Sequence, residues 1–305
     1  MNDNPSDPTT LSPPTRPPGA TPHAKQDPAF TEPYLIIVSG NDRGKHHKLQ
    51  QPHSVVGRDS SAHIVIADPK VSRRHAVLTV FHDGILLEDA GSSNGVFVDG
   101  VRIQTHKLDS RQRICLGDTY LRVDYKRQDE ADADQALYQA ANTDALTSIL
   151  NRGAFMRRSD EEVSFCRRRG GRLTVVICDV DHFKQVNDTF GHLAGDYVLR
   201  ELANILRQEV RKEDLLARYG GEEFIVLLRE PPQTVPLFWA ERVRHKVMVH
   251  PFVFQGRPIP TTVSIGICSC RAEAVESLPS VIQSADNALY QAKRKGRNRV
   301  EIFVR

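Results

Sequence analysis

The spacing of apolar residues changes rhythm twice along the chain. From residue 34 to 125 they come in short runs: YLIIV, SVVG, HIVI, AVLTVF, GILLED, GVFV, RICLG and YLRVDY. The runs are rich in β-branched and aromatic residues, and clusters of Gly, Asn, Asp and Ser separate them. This pattern predicts closely spaced strands joined by tight turns, an all-β sandwich. At residue 126 the texture shifts to KRQDEADADQALYQAANTDAL, which is charged, Ala-rich and free of Gly and Pro. It predicts a connecting helix over 126–143, with a weak apolar stripe at Ala133, Ala136, Leu137 and Ala140. A coiled coil there would be short. From 144 onward helical and strand periods alternate. Helices are expected over 154–169, 195–210, 237–249 and 281–295. Strands are expected at LTVVICDV, on both sides of Gly-Gly in DLLARYGGEEFIVLL, at TTVSIGICSC and at RVEIFV. That alternation predicts an α/β domain, 144–305, with a sheet at its centre.

Composition adds a third region. Nine of the 18 prolines fall in residues 1–33, which hold one aromatic, Phe30, and few aliphatics. Such a segment cannot bury enough apolar surface to offset the entropy of ordering, so a disordered Pro/Thr-rich tail is expected. The 305 residues then hold two cores, one per domain. Lys plus Arg number 41 and Asp plus Glu 38, a net charge of +3 that excludes a uniformly basic coat for a nucleic-acid polymer. No apolar run reaches the ~20 residues of a membrane span, and the polar N-terminus lacks a signal-peptide core. The five cysteines are odd in number and form no CxxC pair, which fits a reducing cytoplasm.

Candidate chemistry lies in the turns. In the first domain Arg58, Ser72, Arg73 and Asn94 fall in loops between strands. Loops at one end of a sandwich can converge on a ligand. The arginines offer charge-assisted bonds to phosphate, Ser72 a hydroxyl, and Asn94 an amide for a peptide backbone. In the second domain Asp179 and Asp181 end an apolar strand, where a buried carboxylate points to a site rather than to packing. Carboxylates suit Mg²⁺. Gly220-Gly221-Glu222-Glu223 falls between two apolar strands. Gly-Gly permits the positive φ angles of a two-residue hairpin and close approach of a ligand. Adjacent glutamates at its tip repel unless a cation or proton intervenes.

Taken in order, these segments resemble two known families. GRDSSAHIVIADPKVSRRHA followed by DAGSSNG is similar to the forkhead-associated (FHA) domain, over 34–125. The resemblance implies recognition of phosphothreonine peptides through Arg58, Ser72, Arg73 and Asn94, with His75 and Asp89 shaping the loops. DALTSILNR, DVDHFKQVNDTFGHLAGDYVL, RYGGEEF, SIGI and ADNALYQAKRKGRNRV together resemble the GGDEF family of diguanylate cyclases, over 144–305. That family has a palm-like sheet related to nucleotidyl cyclases. The resemblance implies Mg²⁺ (or Mn²⁺) on Asp179, Glu222 and the Val180 carbonyl, with Glu222 or Glu223 assisting deprotonation of the attacking 3′-hydroxyl. It implies guanine reading by Asn187 and Asp196, a pocket lined by His192, and phosphate contacts from Lys293, Arg297 and the backbone near Phe183 and Lys184. Arg211 and Asp214 match the RxxD motif of an inhibitory product site, with Arg242 as its second arginine. Ser148 stands where Gly is common.

The expected activity is condensation of two GTP into cyclic di-GMP and two pyrophosphates by a homodimer, under control of the phosphopeptide reader. The ligand of that reader would be a phosphothreonine protein or the chain's own tail, which carries Thr9, Thr10, Thr15, Thr21 and Thr31. The alternative is a non-enzymatic effector that only binds GTP or cyclic di-GMP.

Overall fold

A computed structural model describes residues 31–40, 42–49, 52–232 and 234–304. Residues 1–30, with Thr9, Thr10, Thr15 and Thr21, lie outside them. Eleven strands build the first domain: β1 (Glu32–Ile37), β2 (His46–Lys48), β3 (His53–Gly57), β4 (Ile64–Val65), β5 (Ala76–Phe81), β6 (Gly84–Asp89), β7 (Val96–Val98), β8 (Val101–Ile103), β9 (Thr105–Leu108), β10 (Arg113–Leu116) and β11 (Thr119–Lys126). They form two sheets, β2-β1-β11-β10-β7-β8 and β4-β3-β5-β6-β9. Alternate residues point inward on strands such as β11, where Thr119, Leu121 and Val123 are buried. Leu35, Val56, Leu78, Leu87, Ile114 and Leu121 meet between the sheets. The sandwich predicted from the spacing is present. Its edge is earlier than expected, because Glu32 and Pro33 already pair with Lys126 and Tyr125. Residues 32 and 33 are therefore strand, not tail.

α1 (Gln128–Asn142) fills the expected linker. It buries only Ala131 and Asn142 and leaves Leu137 68% exposed. Instead of a free rod, it runs back along the β1–β2 edge. Tyr34 Oη donates to Gln128 Oε1 (3.1 Å), Asp134 takes the Lys126 ammonium, and Tyr138 Oη donates to Asp42 (3.1 Å).

The second domain comprises β12 (Leu150–Asn151), α2 (Arg152–Arg168), β13 (Arg172–Val180), α3 (Phe183–Phe190), α4 (His192–Glu209), β14 (Leu215–Arg218), β15 (Glu223–Arg229), α5 (Val235–Val249), the hairpin β16 (Val253–Phe254) and β17 (Arg257–Pro258), β18 (Val263–Arg271), α6 (Leu278–Arg294) and β19 (Val300–Val304). The sheet order is β12-β14-β15-β13-β18-β19, with β13 antiparallel to both neighbours. Period-two alternation feeds two cores. Val176, Cys178 and Val180 of β13 face α4 and α5, while Leu173, Val175 and Ile177 face α2 and α6. Gly266 lets α6 settle onto β18: a Cβ there would lie 2.2 Å from both the Ala285 carbonyl and the Leu289 nitrogen. α3 is a helix that the sequence pattern did not predict, and α4 starts three residues before the expected 195. Gly191, at φ 88°, ends one helix and starts the other.

Candidate functional site

The sheet brings the acidic residues to one end. Asp179, next to last on β13, lies opposite Glu223, first on β15. The Glu222 carbonyl accepts from the Val180 amide at 3.4 Å. From α6, the Lys293 ammonium pairs with Asp179 at 2.8 Å. Burial pushes the Asp179 carboxyl up to about 6; Lys293 opposes this, and the charges of Glu222 and Glu223 add to it. Burial also raises Glu222, again against Lys293 and with Glu223. Three carboxylates around one ammonium leave negative charge unneutralised. Among the described residues no three His, Cys, Asp or Glu side chains form a metal-binding group. The set of Asp179, Glu222 and the Val180 carbonyl is two carboxylates and one carbonyl. It fits Mg²⁺, a hard cation that keeps phosphate and water in its other positions.

The turn between β14 and β15 differs from the two-residue hairpin expected. Neither Gly220 nor Gly221 is among the residues with positive φ. Tyr219 N donates to the Glu223 carbonyl at 2.8 Å, and Gly220 N to the same oxygen at 3.3 Å, which closes a wider loop. The glycines supply room instead: a Cβ on Gly220 would come within 2.6 Å of Glu223 Oε2, and one on Gly221 would meet nothing within 4 Å. Arg218 fastens the loop, a role the sequence reading missed. Its guanidinium donates to the Gly221 carbonyl (3.1 Å from Nε) and to both Asp144 carboxylate oxygens (3.2 Å). Asp144, two residues beyond α1, is thus tied to the acidic loop.

The α3–α4 corner carries the predicted base-reading side chains. Asn187 is on α3, and His192 and Asp196 are in the first turns of α4. Gly195 makes space for the amide, since a Cβ there would sit 2.0 Å from Asn187 Oδ1. Phe183 and Lys184 open α3 behind His182, a left-handed residue at φ 57°. Their amides belong to the first helical turn, where N–H groups lack intrahelical partners and favour phosphate. The Phe183 ring itself packs in the core.

Asp181, singled out with Asp179 as a strand-end carboxylate, takes a bracing role that its position in the sequence does not specify. It accepts from Thr262 Oγ1 (2.7 Å), Ser264 Oγ (2.6 Å) and Asn298 N (3.0 Å). It therefore anchors the turn that presents Arg297, which with Asn298 has positive φ. A cavity of about 310 Å³ lies between Lys293, Tyr290, Asp286 and Glu223. Another, of about 360 Å³, continues from Glu223 to Arg152 and Tyr219, whose ring the Arg152 guanidinium covers at 4.5 Å. Neither is lined by Asn187 or Asp196.

At the predicted product site Asp214 is engaged locally, accepting from Arg211 N (2.9 Å) and Arg229 N (3.0 Å). Arg242 pairs with Glu209 at 2.6 Å, and Arg211 is exposed.

In the first domain the loops converge as expected. Buried His75 links them, taking the Ser72 amide on Nδ1 (2.9 Å) and bonding the Gly95 carbonyl through Nε2 (3.1 Å). Asp89 accepts from Ser92 N at 2.7 Å. Ser72 Oγ accepts from Ser93 N, and Asn94 Nδ2 donates to the Lys70 carbonyl at 2.6 Å, so this amide braces a neighbouring loop. Arg58 and Arg73 are exposed beside them.

Comparisons with known proteins agree with this arrangement. Residues 36–126 match the family described as inner membrane component of T3SS, cytoplasmic domain, an FHA-like module. Diguanylate cyclase DgcP of Pseudomonas aeruginosa is 45% identical over 164 residues, 54% of this chain and 24% of that protein. Diguanylate cyclase A of Treponema denticola is 38% identical over 169 residues, 54% of this chain and 45% of that protein. The chain thus spans less than half the length of either relative. The coiled coil and GGDEF domain of DgcB from Caulobacter crescentus, solved in complex with c-di-GMP, superposes with a TM-score of 0.54 at 31% identity. It covers 58% of this chain and 93% of that one. Residues 141–299 match the family described as diguanylate cyclase, GGDEF domain, and with that match over half its length the chain belongs to the GGDEF family.

Proposed function

We propose that the protein is a diguanylate cyclase that condenses two GTP into cyclic di-GMP with release of two pyrophosphates. The observation that carries this is the group of Asp179, Glu222 and Glu223 beside Lys293 at the end of β13 and β15. Asn187 and Asp196 read the guanine edge; a carboxylate accepts from the two N–H groups that guanine presents and adenine lacks. The α3 amides, Lys293 and Arg297 hold the triphosphate. A divalent cation, Mg²⁺ or Mn²⁺, held by Asp179, Glu222 and the Val180 carbonyl would polarise the α-phosphate and offset its developing charge. Lys293 moves from Asp179 to the phosphates when the nucleotide arrives. Glu222 accepts the proton of the 3′-hydroxyl as it attacks the α-phosphorus, and pyrophosphate leaves. The same step in the opposite sense closes the ring. One domain presents one nucleotide, so two chains must face each other about a two-fold axis.

Arg211, Asp214 and Arg242 bind the product and restrain the enzyme. The FHA-like sandwich reads phosphothreonine through Arg58, Ser72, Arg73 and Asn94. A reducing compartment such as the cytoplasm suits the five free cysteines and supplies GTP. No described helix is long and apolar enough to cross a membrane. The test is incubation of the full chain with GTP, ATP and their mixture, with Mg²⁺, and chromatography of the products. The di-guanine ring is expected from GTP and from the mixture. A mixed adenine–guanine ring contradicts the role of Asp196, and absence of any cyclic product contradicts the activity.

A further inference from the structure

The end of α4 is fastened to α5 through one residue. Glu209 closes α4, and its side chain is only 6% exposed. Its Oε2 accepts from Arg242 Nε at 2.6 Å, and its Oε1 from the Lys246 ammonium. Trp239 Nε1 donates to the Glu209 carbonyl at 2.7 Å, so the backbone here is pinned to the same helix. Arg242 and Lys246 stand four residues apart on α5, which makes them neighbours on one helical face. Burial alone would raise the Glu209 carboxyl; the hydrogen bonds from Lys246 and Arg242 outweigh it and hold the group below its ordinary value. Glu209 therefore stays ionised between its two cations at neutral pH.

The charges of this cluster do not cancel. One carboxylate meets two cations, and one positive charge is left over. The Arg242 and Lys246 side chains are 54% and 48% exposed, and neither pairs with a second carboxylate among the described residues. Glu241, on the same helix, pairs with Arg244 instead. Arg242 meets Glu209 through Nε, which leaves both Nη groups as donors, and an ammonium has three N–H groups to offer.

The cluster is continuous with the Arg211 turn. Only Val210, extended at ψ 148°, separates Glu209 from Arg211, so their Cα atoms lie roughly 7 Å apart. Asp214 uses both carboxylate oxygens on the backbone amides of Arg211 and Arg229. The exposed Arg211 guanidinium forms no ion pair among the described residues.

We propose that Lys246 is a further binding residue of the inhibitory product site: Lys246 and Arg242, gathered by Glu209, together hold one phosphate of cyclic di-GMP. This rests on the reading of Arg211, Asp214 and Arg242 as that site. Each phosphate of the product carries a negative charge. One placed between a guanidinium and an ammonium meets both the unneutralised charge and the free N–H donors, which a single arginine paired to a carboxylate does not supply.

The experiment is calorimetric titration of cyclic di-GMP into the full chain without GTP or Mg²⁺, which reads binding apart from turnover. Lys246→Gln is expected to weaken binding about fivefold and to flatten the fall of affinity with added KCl, whereas Lys246→Arg stays within about twofold of the wild type. Unchanged affinity in Lys246→Gln, with binding lost in Arg211→Ala, overturns the role of Lys246 and leaves the inhibitory site standing. Weaker binding with an unaltered salt dependence marks a merely structural contact and overturns it as well. Binding that neither Arg211→Ala nor Arg242→Ala changes, or none by the wild type, overturns the inhibitory-site reading itself.

Discussion

Asp179 and Asp181 sit two positions apart at one strand end and meet different partners. Asp179 faces Lys293 and the acidic loop, whereas both carboxylate oxygens of Asp181 are engaged by Thr262, Ser264 and Asn298. The sequence shows both as carboxylates leaving a core, and nothing local separates them, because the partners of Asp181 arrive from more than 80 residues away. Removing its side chain strands two hydroxyls and an amide, at about 1–3 kcal/mol of stability. Asp181→Ala is therefore expected to unfold at lower denaturant. Once folded, it should show a KM for GTP raised about tenfold, because the Arg297 turn loses its anchor. A KM equal to that of the wild type would remove Asp181 from the site. Ser148 gives a similar lesson. It departs from the Gly common at that position, yet it keeps φ at 55°, the left-handed conformation Gly would adopt freely.

At the level of elements, strong periodicity was readable and short polar segments were not. The eight apolar runs of the first domain all became strands. β2, β8 and β9 escaped notice because HHK, VRI and THKL carry little apolar pattern of their own and take their register from neighbours. β2 is also where acid acts. Burial, with help from Lys45 and His46 and against Asp42, lowers His47 to about 4 from 6.5, and its Nε2 is buried without a partner. The unfolded chain takes up this proton between those values and the folded chain does not, so stability falls as pH drops through that window. The sandwich should lose at most about 3 kcal/mol between pH 7 and 4 from this residue. Chemical unfolding followed against pH should show a shallower slope in His47→Gln; identical slopes would contradict the account. On the other domain the contact of α6 with β18 depends on Gly266. Gly266→Ala should cost about 2–4 kcal/mol, because backbone atoms of the helix must retreat. Urea unfolding measures this, and an unshifted midpoint would mean that α6 can slide at no cost.

Across the whole molecule, domain order and chemistry were legible from motifs, but the junction was not. The two cores arise from runs that alternate within each domain. The meeting of Asp42, Tyr138 and Arg158 joins three separate elements, and no motif marks it. The same holds for Asp144, Arg218 and Gly221, through which the end of the linker is fastened to the acidic loop. α1 is thus bonded to the sandwich through Tyr138 and Asp42, and the segment after it to the acidic loop through Asp144 and Arg218. On the proposed mechanism each chain presents one nucleotide, so specific activity should rise with protein concentration until dimers saturate.

The central claim is that Glu222, on that loop, serves a GTP-condensing reaction. The most direct measurement is the initial rate of cyclic di-GMP formation from GTP and Mg²⁺ by the full chain and by its Glu222→Gln variant, at matched folding and concentration. The account predicts steady product from the wild type and a loss of at least about a hundredfold in the variant, with the circular dichroism spectrum unchanged. Equal rates in the two proteins, or no product from well-folded wild type at micromolar concentration, would contradict it.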